Sequence, residues 1–192
     1  MATVVVATGN PGKLKEMNTY LAELGWTLVL KPDAIDVEET GTTFLENARL
    51  KASVVAKATG QWAIADDSGL SVDALDGAPG IYSARYGNTD ADRIARLLNA
   101  LEKAPDRTAY FACAIALARP DGTIALETEG HCPGEIALEP KGNGGFGYDP
   151  IFYVPSAGKT FAEMTAEEKE RLSHRGVAFA QLMLALRAIA IA

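Results

Sequence analysis

Hydrophobic and polar positions change their period several times along the chain. It opens on an unbroken apolar run, Val4-Val5-Val6-Ala7, the pattern of a short strand buried on both faces. A turn at Thr8-Gly9-Asn10-Pro11-Gly12-Lys13 follows, then Leu14, Met17, Leu21 and Leu24 at helical spacing. Asn10 is placed to cap that helix, Pro11 to begin it and Gly25 to stop it. Residues 27–30 read as a second strand. Thr43 and Glu46 have capping-box spacing and start a helix running to about Thr59, with Gly60 ending it. Residues 62–65 form a short apolar strand, after which Asp66 opens a polar loop. A helix is predicted over 90–103. Two β-rich stretches, 108–118 and 123–130, flank Pro120-Asp121-Gly122 and predict a hairpin. A glycine-rich loop over 142–147 precedes a strand at Ile151-Phe152-Tyr153-Val154, and a helical pair meets around Ser173-His174-Arg175.

Strands alternating with helices, plus one long hairpin, predict an α/β fold of the mixed α+β kind: a mixed sheet flanked by helices. A pure Rossmann fold is disfavoured, because no G-x-G-x-x-G follows the first strand. The 192 residues suit a single domain spanning 1–192, with two closely joined lobes as the other arrangement that length allows. Apolar residues at 48% and charged residues at 22% are ordinary for a globular chain.

Charge narrows the partners. Eighteen basic against 25 acidic residues give a formal net charge of −7, which argues against nucleic acid as a partner. A small anion needs only a local cluster of donors, or a metal that bridges it to carboxylates. The first residues lack a basic stretch, so no signal peptide is expected. The apolar tail over 177–192 is interrupted by Gln181 and Arg187 and falls short of the roughly 20 residues of a membrane span, so it is expected to be a core or interface helix. Cys113 and Cys132 have no C-x-x-C spacing and read as reduced, partly buried thiols, in keeping with a cytoplasmic location.

Four segments carry candidate chemistry. The turn from Thr8 to Lys13 offers free N–H groups at a helix start, two glycines and a lysine; an anion site and a plain tight connection both fit it. Asp66-Asp67-Ser68-Gly69 sets two carboxylates side by side, which is costly unless a cation or proton relieves them. Mg²⁺ suits such a site, since it prefers oxygen ligands and binds carboxylates together with substrate phosphates; an Asp-rich turn is the alternative. Glu38-Glu39 is a second acidic pair that could join it. The run from Gly142 to Pro150 has glycines for close backbone approach and two aromatics, Phe146 and Tyr148, on which a planar base could stack. His174 and Arg175 are possible base-reading donors; no two-His metal pattern and no Ser-His-Asp spacing exists.

Together these segments resemble the inosine triphosphate pyrophosphatase family, also described as the dITP/XTP pyrophosphatases. The likeness runs from Ala7 to Gly176. It rests on the turn from Thr8 to Lys13, Glu38-Glu39-Thr40-Gly41, Phe44-x-Glu46-Asn47-Ala48, Ala65-Asp66-Asp67-Ser68-Gly69-Leu70, the segment from Gly77 to Arg85, the segment from Gly144 to Pro150, and Ser173-His174-Arg175-Gly176. It implies an elongated mixed sheet, two lobes with a central substrate cleft, a homodimer and a Mg²⁺ requirement. The reaction implied is hydrolysis of ITP, dITP or XTP to the monophosphate and pyrophosphate, clearing deaminated purines from the nucleotide pool.

The resemblance also implies roles. Asp67 is the proton acceptor and, with Glu38, a metal ligand. Thr8, Gly9, Asn10, Pro11, Gly12, Lys13, Ser68, Phe146, Gly147, Tyr148, Asp149, Lys169, His174 and Arg175 are substrate contacts, and Lys51 is a further candidate phosphate contact. Asp66 has no assigned role. Hypoxanthine and xanthine carry an acceptor oxygen where adenine carries a donor amine, so donors such as Arg175 accept the first two and mismatch the third. On residues alone, a pyrophosphatase for modified pyrimidines or methylated bases, a non-catalytic nucleotide sensor and a phosphomonoesterase stay open as rivals.

Overall fold

The structure, a computed structural model, describes residues 2–187; the last part of the predicted apolar tail, 188–192, lies outside the described residues. Among the described residues, seven strands form one mixed sheet in the order β2-β1-β3-β4-β5-β6-β7. They are β1 (Thr3–Val6), β2 (Thr27–Leu30), β3 (Trp62–Val72), β4 (Thr108–Ala118), β5 (Ile124–Ile136), β6 (Phe152–Val154) and β7 (Lys159–Thr160). Among the described residues, five α-helices accompany them: α1 (Pro11–Tyr20), α2 (Phe44–Thr59), α3 (Asp90–Ala100), α4 (Ala166–Leu172) and α5 (His174–Leu186). The mixed α/β expectation therefore holds. β1 runs parallel to β2 and β3, whereas β6 is antiparallel to both of its neighbours.

The chain divides into two compact units, one made of Met1–Asp67, Cys113–Gly130 and Ala178–Ala192, the other of Ser68–Ala112 and His131–Val177. In the first unit, alternation along each strand sorts side chains onto two unlike faces. Val4, Val6, Ile64, Ile115 and Leu117 pack with Met17 of α1, with Leu21 just after it, and with Phe179 and Leu182 of α5. Val5, Ala63, Ala65, Ala114 and Ala116 face Ala48, Ala52 and Ala56 of α2. Small residues on both sides bring the α2 backbone close to the strands. In the second unit, Leu70, Leu97, Phe111, Phe152 and Phe161 belong to one core cluster.

Helix ends follow the predicted capping chemistry. Asn10 caps α1 by accepting the Gly12 N–H at 2.8 Å. Thr43 and Glu46 form the capping box of α2, which Gly60 ends in a left-handed conformation. α1 itself stops at Tyr20, and a separate 3-10 turn over Ala22–Leu24 carries the chain to Gly25. α3 ends at Ala100, earlier than predicted, and β5 continues past Gly130 to Ile136.

The polar loop predicted from Asp66 does not exist: β3 runs unbroken from Trp62 to Val72 through Asp66, Asp67 and Ser68. The two acids are buried in a strand, and successive strand residues point to opposite faces.

Candidate active site

The face assignment separates the acids. Asp66 shares its face with Ile64 and meets α1, where Lys13 Nζ lies 3.0 Å from its Oδ2. Asp67 shares its face with Ala63 and Ala65 and meets α2. There Lys51 Nζ donates to Asp67 Oδ1 at 3.0 Å, and Asn47 Nδ2 donates to Oδ2 at 3.3 Å. The repulsion inferred from adjacency is thus relieved by two lysines on two different helices, without calling on a metal.

Asn47 and Lys51 stand one turn apart on α2, so both project onto the same face. The same two side chains hold the acidic segment before the helix. Asn47 Oδ1 accepts the Gly41 N–H at 2.8 Å, and Lys51 Nζ donates to Glu39 Oε1 at 2.7 Å. A Cβ on Gly41 would come within 2.7 Å of Asn47 Oδ1, so the close approach requires a residue without one. Burial pushes the Asp67 carboxyl above its usual range, against the pull of Lys51. Burial works to lower Lys51, but Asp67, Asp66 and Glu39 outweigh it and hold the ammonium above its usual range.

The second unit holds the aromatic set. In the glycine-rich loop, Phe146 N–H donates to Asp149 Oδ2 at 2.9 Å, and Lys169 Nζ donates to the same oxygen at 2.7 Å. Lys169 Nζ also stands 5.0 Å from the Phe146 ring centroid, with the Arg175 guanidinium 5.9 Å away. Arg175 donates to Ser68 Oγ at 3.1 Å. The exposed Phe146 ring is therefore flanked by two cations, a polar and aromatic setting suited to a planar, electron-rich base. His174 is buried and stacks on Phe111, with centroids 4.6 Å apart and planes 10° apart. Tyr148 turns inward and donates to Ser83 O at 2.8 Å; burial raises its phenol well above the usual range, so it stays a neutral donor.

A family model described as the Ham1 family matches residues 4–185. This chain belongs to the Ham1 family. A relative from Synechocystis sp. named dITP/XTP pyrophosphatase is 66% identical over 183 residues, covering 95% of this chain and 94% of the relative. Among solved structures, a HAM1 protein from Coxiella burnetii superposes with a TM-score of 0.90 at 46% identity, over 98% of this chain and all of the other. The Staphylococcus aureus Ham1 protein gives 0.86 at 44% identity, over 97% of this chain and 98% of the other.

Within this Ham1-family chain, the first unit joins Lys13, Asp66, Asp67, Lys51, Asn47 and Glu39 through direct contacts, in two groups on opposite faces of β3. The second unit brings together Phe146, Asp149, Lys169, Arg175 and Ser68. Glu38, the expected metal ligand, is exposed, while its half-buried neighbour Glu39 holds Lys51. Among the described residues, no group of three or more His, Cys, Asp or Glu side chains is arranged to hold a metal. From sequence, Asn47 has no assigned role, and Glu39 enters only with Glu38 as an acidic pair that could join the metal site. The helical interval from Asn47 to Lys51 was the available signal for the first; nothing distinguished Glu39 from Glu38.

Proposed function

We propose that this Ham1-family chain hydrolyses ITP, dITP and XTP to the nucleoside monophosphate and pyrophosphate with Mg²⁺. The observation that carries the reading is Asp67: a carboxylate buried at 8% exposure, raised above its usual range and held by Lys51 and Asn47. A carboxylate kept more basic than usual suits a proton acceptor. Relatives named dITP/XTP pyrophosphatase over nearly the whole chain supply the substrate class.

The donor set fits a hard divalent cation. Carboxylate oxygens are its preferred ligands, and each Asp67 oxygen has a lone pair beyond the one that accepts from Lys51 or Asn47. Glu38 and Asp67 would hold the ion together with substrate phosphates, a mode that needs few protein ligands. When bound, it would neutralise phosphate charge. Asp67 takes the proton from the water that attacks the α-phosphate, and the bond to the β-phosphate breaks. Lys13, kept in place by Asp66 at the start of α1, neutralises the departing pyrophosphate. Asp66 thus gains a role as the residue that orients Lys13. Lys51 acts on Asp67 and Glu39, with a phosphate contact as a second use of its charge.

The purine stacks on Phe146, and Lys169 and Arg175 offer donors to the acceptor oxygen of hypoxanthine or xanthine. Ser68, Gly147, Tyr148, Asp149 and His174 complete or support that pocket. A cytoplasmic homodimer belongs to the same proposal, carried over from the family resemblance.

The experiment is incubation of ITP with Mg²⁺ and identification of products. Inosine monophosphate and pyrophosphate are expected; release of orthophosphate as the first product overturns the reading. XTP, GTP and ATP compared at one Mg²⁺ concentration test selectivity, and equal kcat/KM for all four removes it.

A further inference from the structure

The loop that carries Phe146 is fastened from a segment that no sequence motif includes. Asp90, the first residue of α3, accepts the Gly147 N–H on Oδ2 at 2.7 Å. Its other oxygen, Oδ1, pairs with Arg93 of the same helix. Gly147 directly follows Phe146 and has a positive φ of 63°, so its N–H direction and the Phe146 backbone are set together. On the other side of Gly147, Tyr148 is tied down through its hydroxyl to Ser83 O. Asp149 secures the near side by accepting the Phe146 N–H. Phe146 is 37% exposed, with Lys169 and Arg175 beside its ring. From the backbone side, these anchors set the direction of the ring.

We propose that Asp90 is a positioning residue for base recognition: by holding the Gly147 N–H it fixes the Phe146 ring in the orientation on which the purine stacks. This rests on the reading that Phe146 receives the base. Asp90 touches no substrate atom; it acts through the loop. Its role is separable from helix capping, because Thr89 and Asp92 form the capping box of α3 by themselves. The Asp90 side chain is 48% exposed, so its effect is moderate and selective for binding.

The test compares Asp90→Ala, Asp90→Asn and Phe146→Ala with the parent enzyme on ITP, with Tm recorded for each. Asp90→Ala raises KM about three- to tenfold while kcat stays within about twofold, because the proton acceptor is untouched. Asp90→Asn, whose carbonyl oxygen can accept the same N–H, recovers most of the loss. In a Phe146→Ala background, Asp90→Ala adds no further rise in KM, the signature of two residues acting through one contact. An unchanged KM in Asp90→Ala overturns the proposal, as do fully additive effects in the double variant or an Asn variant as impaired as Ala. A Phe146→Ala enzyme with the parent KM overturns the base-stacking reading first. That outcome is distinct from a silent Asp90→Ala beside an impaired Phe146→Ala.

Discussion

At the level of single residues, the proposed chemistry asks some groups to act and the packing asks others to make room. Asp67 is the group proposed to act. Replacing it by Asn removes the proposed proton acceptor while nearly preserving shape, and the expected cost is about 10²- to 10⁴-fold in kcat. Tm measured alongside checks that the fold survives; near-normal turnover refutes the assignment. Gly176 makes room. A Cβ there would stand 1.6 Å from the Glu170 carbonyl oxygen, a backbone atom that cannot swing away. Gly176→Ala therefore forces the start of α5 from the end of α4 and should destabilise by about 1–3 kcal/mol or more. Urea unfolding measures it, and an unchanged midpoint contradicts the packing described. Lys169 lies in α4 and Arg175 in α5, so the same variant should also weaken ITP binding. A third residue, Cys132, has its thiol pushed up to about 11 by burial alone. Its alkylation in the folded protein should stay slow at pH 8, where the thiolate fraction is small, and speed up on unfolding.

At the level of elements, the decisive pairing is β3 with α2. Its energetics can be tested through Lys51. Replacing Lys51 by Met leaves Asp67 and Glu39 without their shared cation and should destabilise the metal-free protein by about 3–5 kcal/mol near neutral pH. The pH dependence has a definite sign. The folded-state pKa of Asp67 already lies above its unfolded value, so the folded state binds the extra proton and this group loses stability as pH rises through that window. Without Lys51 the shift grows, so the gap between Lys51→Met and the parent should narrow as pH falls toward the ordinary carboxylate range. Denaturant midpoints at several pH values check this; a gap that widens on acidification overturns the account. Titration of Lys51 itself adds a loss only at alkaline pH, as pH rises through its raised folded value. The same pairing shows what sequence could and could not convey. Caps at Asn10, Thr43 and Gly60 were legible because they depend on neighbours in the chain. The glycine-rich loop was legible because Gly142, Gly145 and Gly147 do adopt positive φ. Asp66 and Asp67 were misplaced in a loop because Asp disfavours strands, and only partners distant in sequence, Lys13 and Lys51, reverse that preference. Asp90 was invisible for the same reason: its bond to Gly147 spans 57 positions.

At the level of the whole molecule, charge sets a problem that the proposed chemistry must answer. The chain carries a formal −7, and its proposed substrate is a polyanion. Among the described residues no helix is long and apolar enough to cross a membrane. The lysines that could attract phosphates are already engaged: Lys13 with Asp66, Lys51 with Asp67 and Glu39. Long-range attraction of a free triphosphate is therefore weak, and capture should rely on a substrate whose charge is partly neutralised by Mg²⁺. A basic protein that steers an anion loses association rate steeply as salt rises. This chain should behave differently. At fixed free Mg²⁺, raising ionic strength from about 0.01 M to 0.15 M shortens the Debye length from about 30 Å to about 8 Å and screens the net repulsion as much as any local attraction. The expected kcat/KM for ITP changes by less than about threefold or rises, where a steered encounter would fall by about tenfold or more. A tenfold fall would show that an uncompensated basic surface guides the substrate, and would require Lys13 or Lys51 to be released from its carboxylate before binding. The two cases differ again in Lys13→Ala: with weak steering the variant loses the same factor in kcat/KM at low and high salt, whereas a guiding lysine is missed most at low salt.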